Sequence, residues 1–152
     1  MDSHRRAHLV MDVLQHAINR DVDQTTQVIS EIAAASNSRQ MYGVCCAFAE
    51  VADRSLVRLY GHPSPEGLWA LTAPDPAEGP QHPAHAFSLR FTTAYANRDL
   101  STCEALYVAA ALASPEDYSH SVIALLGDVA RLARVAGEEL AADSESLNQH
   151  PH

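Results

Sequence analysis

The stretch Asn19-Arg20-Asp21-Val22 comes back as Asn97-Arg98-Asp99-Leu100, 78 positions later. The same shift holds without a gap over about the next 35 positions, so the chain reads as one unit written twice. Ala33, Ala35 and Ser36 recur as Ala111, Ala113 and Ser114, Val44 as Val122, Val51-Ala52 as Val129-Ala130, and Val57 as Val135. Glu50 falls on Asp128. The expected fold is all-α: an internally duplicated helical bundle of two three-helix units, each short–short–long. Pseudo-twofold symmetry would relate the units, and a Pro/Gly-rich loop would join them.

Apolar spacing extends this reading along the chain. Leu9, Val10, Val13, Leu14, Ala17 and Ile18 recur at three and four, the mark of one buried helix face from about Ser3 to Asn19. Asn19 tolerates the left-handed conformation that ends helices, and Asp21 or Asp23 can cap a second helix over 22–35. Ser36-Asn37-Ser38 is the next cap cluster, opening a helix over 38–60 that Gly61 closes. After the joint the pattern restarts near Pro83 and stops at Asn97. Ser101-Thr102-Cys103-Glu104 reads as a capping box for the fifth helix. Ser114-Pro115-Glu116-Asp117 opens the sixth, with Pro where its missing N–H costs nothing and acids at the positive helix end. That helix is expected to stop at Gly137 or Leu140, with Leu140 extending its apolar stripe.

The division is therefore a first repeat over about 3–60, a linker over 61–83, a second repeat over 84–142 and a frayed polar tail over 143–152. Residues 61–85 hold three of the six glycines and six of the eight prolines, which forbids a regular helix there. The two long helices are expected at the centre, with Ala49 and Gly127 letting them approach closely.

Composition limits the function. The chain has 152 residues, enough to bury a core without staples, and no apolar run nears the roughly 18 residues of a membrane span. Asp12 and Gln15 break the apolar stretch of its opening residues, which disfavours a secretory signal, so a cytoplasmic protein is expected. Cys45, Cys46 and Cys103 have neither zinc-site nor disulfide spacing and read as small apolar fillers. The net charge of −9 disfavours nucleic acid, which needs clustered cations, although acidic mimicry of nucleic acid is compatible with it. Arg131 and Arg134 alone lie close together on the sixth helix, too little for a DNA-reading face.

Several residues are candidates for chemistry. The repeated Asn-Arg-Asp reads as a corner device: Asn closes one helix, Asp caps the next, and Arg ties the corner to a carboxylate. Glu50 and Asp128 lie in equivalent places on the long helices, where a twofold could pair them for acid–base work or metal binding. His4, His8 and Asp12 share one face of the first helix and supply a two-His-one-carboxylate set. Asp12, however, lies ~12 Å from His4 by helix rise. His82 and His85 form a second, weaker set. No nucleophile elbow, glycine-rich phosphate loop or other cofactor motif is present.

The apolar island Leu68-Trp69-Ala70-Leu71 carries the only tryptophan, inside the linker. Leu68, Trp69 and Leu71 are the candidate contact for another protein, since tryptophan is enriched at interface hot spots. Alternatively the island docks on the bundle itself. The reading is a non-enzymatic regulatory or accessory protein that binds another protein or a second copy of itself, with no cofactor and no membrane partner. The alternatives are a small-molecule sensor with a cavity lined by Phe48, Tyr42, Tyr107 and Tyr118, and a metal-dependent helical enzyme using Glu50, Asp128 or the histidines.

Overall fold

A computed structural model describes residues 1–63, 67–71 and 82–148, with the side chains of the final helix described as far as Gly137. Six helices form it: α1 (Ser3–Ile18), α2 (Val22–Ala34), α3 (Ser38–Tyr60), α4 (Pro83–Ala96), α5 (Leu100–Leu112) and α6 (Pro115–Asn148). No strand occurs among the described residues, and no described helix is long and apolar enough to cross a membrane. The expectations for Pro65, Pro74, Pro76 and Pro80, for the side chain of Leu140 and for the last four residues lie outside the described part.

Local chemistry sets the boundaries. Asp2 starts α1, its carboxylate accepting the Arg5 N–H at 2.7 Å. Asn37 and Gln40 make a reciprocal capping box at α3, with both bonds at 2.9 Å, and the Ser114 hydroxyl accepts the Asp117 N–H at the start of α6. Gly61, at φ 77°, ends α3. At both corners Asn is the last capping residue and Asp opens the next helix, as the sequence indicates. The left-handed residue, however, is the arginine between them: Arg20 at φ 60° and Arg98 at φ 61°. Asn19 and Asn97 themselves keep φ near −80°.

Two boundaries differ from the sequence reading. The capping box at Ser101 and Glu104 does not form, because Asp99 takes the cap two residues earlier. Its two oxygens receive the Thr102 N–H at 3.2 Å and the Thr102 hydroxyl at 2.6 Å. Gly137 does not stop α6, which runs on to Asn148. Glu138, Glu139, Leu140, Ala141 and Ala142 follow it, all strong helix formers, and an isolated glycine costs a helix only about 1 kcal/mol.

The core is one apolar cluster drawing on all six helices, with Val13, Ile32, Cys45, Phe48, Phe91, Cys103 and Leu125 essentially excluded from water. α3 and α6 form the most extensive pairing, and α4 packs against both. Half of α4 is buried, including Ala84, Phe87, Ser88, Phe91 and Thr92, so it shares the centre with the long helices. α1 packs mainly on α2 and α6. Arg6, buried on α1, donates to the Ser36 hydroxyl at 3.0 Å and to the backbone oxygens of Met1 and Ala35, tying α1 to the α2–α3 turn. Arg134 grips the other end of α1 through the carbonyls of Ala17 and Ile18, at 3.1 and 3.0 Å.

One core expectation needs revision. Ala49 is fully buried, but Gly127 faces solvent and a Cβ built on it meets nothing within 4 Å. Gly127→Ala should therefore raise stability by about 0.5–1 kcal/mol, since alanine carries less chain entropy into the unfolded state. Urea titration checks this, and a loss of stability would mean that the position does need glycine. The Ser88 hydroxyl is the buried side-chain polar atom without a partner among the described residues. Ser88→Ala removes an unpaid desolvation cost and should stabilise by about 1 kcal/mol, read as a rise in thermal midpoint.

Candidate functional site

A cleft opens on the side of the molecule formed by the chain over 67–71, α4 and α5. It encloses about 460 Å³ and is walled by Leu68 and Leu71 on one side and by Arg90, Thr93, Ala94, Asp99, Thr102 and Leu106 on the other. Asn97, the helix-closing residue of the corner, fastens the loop. Its side-chain oxygen accepts the Trp69 N–H at 2.6 Å, and its amide donates to the Trp69 carbonyl at 3.0 Å. One side chain thus satisfies both backbone groups of one residue, as a neighbouring strand would. Trp69 is half-buried, whereas Leu68 remains 75% exposed. The island is therefore anchored on the bundle through its backbone, with an aliphatic edge left in solvent.

The sequence holds a signal for this clamp. In the first corner Gln15 donates to Asn19 at 3.2 Å and occupies that side chain. The residue at the same place before Asn97 is Thr93, whose hydroxyl is spent on the Leu89 carbonyl at 2.7 Å. Asn97 is left to receive the loop.

Glu50 and Asp128 are held by different partners. Glu50 accepts the Tyr95 hydroxyl at 2.8 Å and lies 3.3 Å from Arg54 and 3.9 Å from Arg98. Asp128 accepts from Arg131 at 2.8 Å and lies 3.4 Å from His85. Tyr95 and His85 stand at opposite ends of α4, ~15 Å apart by helix rise, so nothing draws the two carboxylates to a shared ligand. Burial first, then the hydrogen bond and charge of Glu50, push the Tyr95 phenol up to about 12. It remains a protonated donor.

The Arg98 corner is the expected tie to a carboxylate. Its guanidinium donates to Asp53 at 3.0 Å and lies 5.8 Å from the centre of the Tyr95 ring. Asp53 is buried, with a side chain 9% exposed. Asp99, fully exposed, has its carboxyl lowered by the Thr102 hydroxyl and then by the Thr102 N–H, which suits its capping role.

The other candidate sets do not assemble. His8 and Asp12 approach only to 3.9 Å, both largely exposed, and His4 is exposed as well. His82 caps α4 by accepting the Ala84 N–H, and its ring lies 6.0 Å from that of His120. Among the described residues no three of His, Cys, Asp and Glu gather as metal ligands.

The aromatic set packs on itself. Tyr107 donates to the Ser38 carbonyl at 2.9 Å and shares a 2.8 Å hydrogen bond with Tyr118, while the Tyr42 and Tyr107 rings lie 5.5 Å apart. Phe48 is fully buried in the core. Burial pushes the Tyr42 and Tyr118 phenols above their ordinary range, and it raises Cys45 to about 12 and Cys103 to about 11. Such thiols have little thiolate at neutral pH and are poor nucleophiles.

No family model, no curated protein and no solved structure matches the chain.

Proposed function

We propose that the protein is a non-enzymatic regulatory or accessory factor that binds another protein through the cleft beside α5, with Leu68, Leu71 and Leu106 as the apolar contact. The observation that carries this is the double hydrogen bond from Asn97 to the Trp69 backbone. It holds an exposed leucine in a fixed place, and a rigid contact binds without the cost of ordering a loop. The apolar walls suit a segment that offers an aliphatic side chain, and Arg90 and Asp99, of opposite charge, both line the cleft.

The scaffold is read as a duplicated unit, repeat 1 over about 3–60 and repeat 2 over about 84–142. Matching left-handed arginines, matching aspartate caps and the ungapped sequence shift support this.

Two measurements test the function. Immobilised wild type and a Leu68→Asp/Leu71→Asp variant should differ in quantitative capture, with a specific protein retained by the first and lost by the second. Equal recovery on both would overturn the assignment of the surface. A native mass spectrum of untagged protein purified without chelator should show the bare chain mass. Stoichiometric metal or small molecule would overturn the non-enzymatic reading.

A further inference from the structure

α5 is apolar on every side, yet only Cys103 and Tyr107 are buried along its 13 residues. A helix of that composition is ordinarily enclosed. Ala105, Val108, Ala109 and Leu112 lie within one turn-spaced outer stripe and all are exposed, Leu112 by 82%. The positions of α2 related to them by the 78-residue shift are Gln27, Ser30, Glu31 and Ala34. α2 presents a polar outer face where α5 presents an apolar one.

We infer that the outer face of α5 is the contact between two copies of this chain, paired antiparallel about a twofold axis passing between Val108 and Ala109. Two observations favour a second copy as the occupant.

The first is shape. About that axis Leu112 of each copy lies on Ala105 of the other, and Val108 on Ala109, so every large side chain meets a small one. A twofold contact requires such self-complementarity. The second is charge. The chain carries −9, which invites a basic partner elsewhere on its surface, but α5 contains no basic residue and Glu104 is its one charged side chain. A face without charge gains nothing from a basic protein and gives two acidic copies their least repulsive approach. The antiparallel register also sets Glu104 opposite Ala113, away from the Glu104 of the partner.

Area sets the strength. A helix of this length spans about 20 Å, so a contact centred on it buries less than the roughly 800 Å² per partner of stable dimers. The dimer is therefore weak and concentration-dependent, and an exposed stripe of alanine, valine and leucine is what a weak, reversible interface leaves on each free copy.

Sedimentation velocity over about 5–500 µM tests this on the full chain, with circular dichroism confirming that each variant is helical. Wild type should shift from monomer to dimer within that range. Ala105→Glu and Leu112→Lys should each weaken association by about tenfold or more, because in the symmetric pair each buries an unpaired charge in both halves of the contact. An equimolar mixture of the two should recover dimer, since the new carboxylate then faces the new ammonium in one half and the other half is wild type. A wild type that stays monomeric throughout, a dimer indifferent to both substitutions, or a mixture that stays monomeric would each overturn the inference. Leu68 and Leu71 are untouched in these variants, so this result and the capture experiment stand or fall separately.

Discussion

Phe91→Ala is expected to cost about 4 kcal/mol, a large share of the 5–15 kcal/mol that holds a domain of this size together. Phe91 is fully buried on α4, and its ring meets that of Tyr42 on α3 edge-on at 6.3 Å and that of Phe87 at 5.4 Å. The Cys103 thiol of α5 lies 3.8 Å from its carbonyl oxygen. Removing the ring opens a cavity where three helices meet, and each is held by its own caps and contacts, so the walls cannot close on the void. Phe91→Leu keeps most of the volume and should cost less than half as much. Urea unfolding of both variants reads the difference directly. A loss below about 1.5 kcal/mol for alanine would mean that α4 is not the packing centre described above.

The two left-handed arginines provide the second test, because the same substitution should act differently at each. Arg98→Ala keeps the strained backbone and removes the donor to Asp53, a carboxylate with little water to replace it. The expected cost is about 2 kcal/mol, reduced from a fully buried pair because the guanidinium itself is 65% exposed. Arg20→Ala also keeps the strain but should lie near zero, since among the described residues the Arg20 side chain has no hydrogen-bond partner. Glycine at either place relaxes the backbone and should recover roughly 1 kcal/mol relative to alanine. Equal costs at the two corners would show that backbone geometry, and not the Asp53 contact, sets the energy.

The asymmetry between the corners was partly readable. The residue 78 places after Asp53 is Arg131, so Arg20 has no acid waiting where Arg98 finds one. The helices themselves were legible because apolar spacing and cap residues are local, and five of the six starts fall within a residue of the observed ones. The missed cap at Asp99 shows the limit of that logic. Two overlapping cap signals, Asp99-x-x-Thr102 and Ser101-x-x-Glu104, compete for one helix start, and a carboxylate that takes both the N–H and the hydroxyl of Thr102 wins.

Residues whose role depends on the other end of the chain were not legible. Arg6 carries no local sign of burial, yet it lies buried against the α2–α3 turn. Gly127 looked like a close-packing site, whereas it is open to solvent. The site behaved likewise. Its exposed leucine could be named from composition, but the clamp that positions it needs a side chain 28 residues away.

The grip of Arg134 on the end of α1 joins residues separated by more than a hundred positions. During synthesis α1 and α2 leave the ribosome long before α6, one of the two helices on which α1 mainly rests. At roughly 5–20 residues per second, the first hairpin waits several seconds with its apolar stripe uncovered. Folding of this chain is therefore completed after α6 has been made, and its nascent first third is a client for whatever shields apolar surface in the cell. A chain halted before residue 134 would lack the two bonds that close the end of α1.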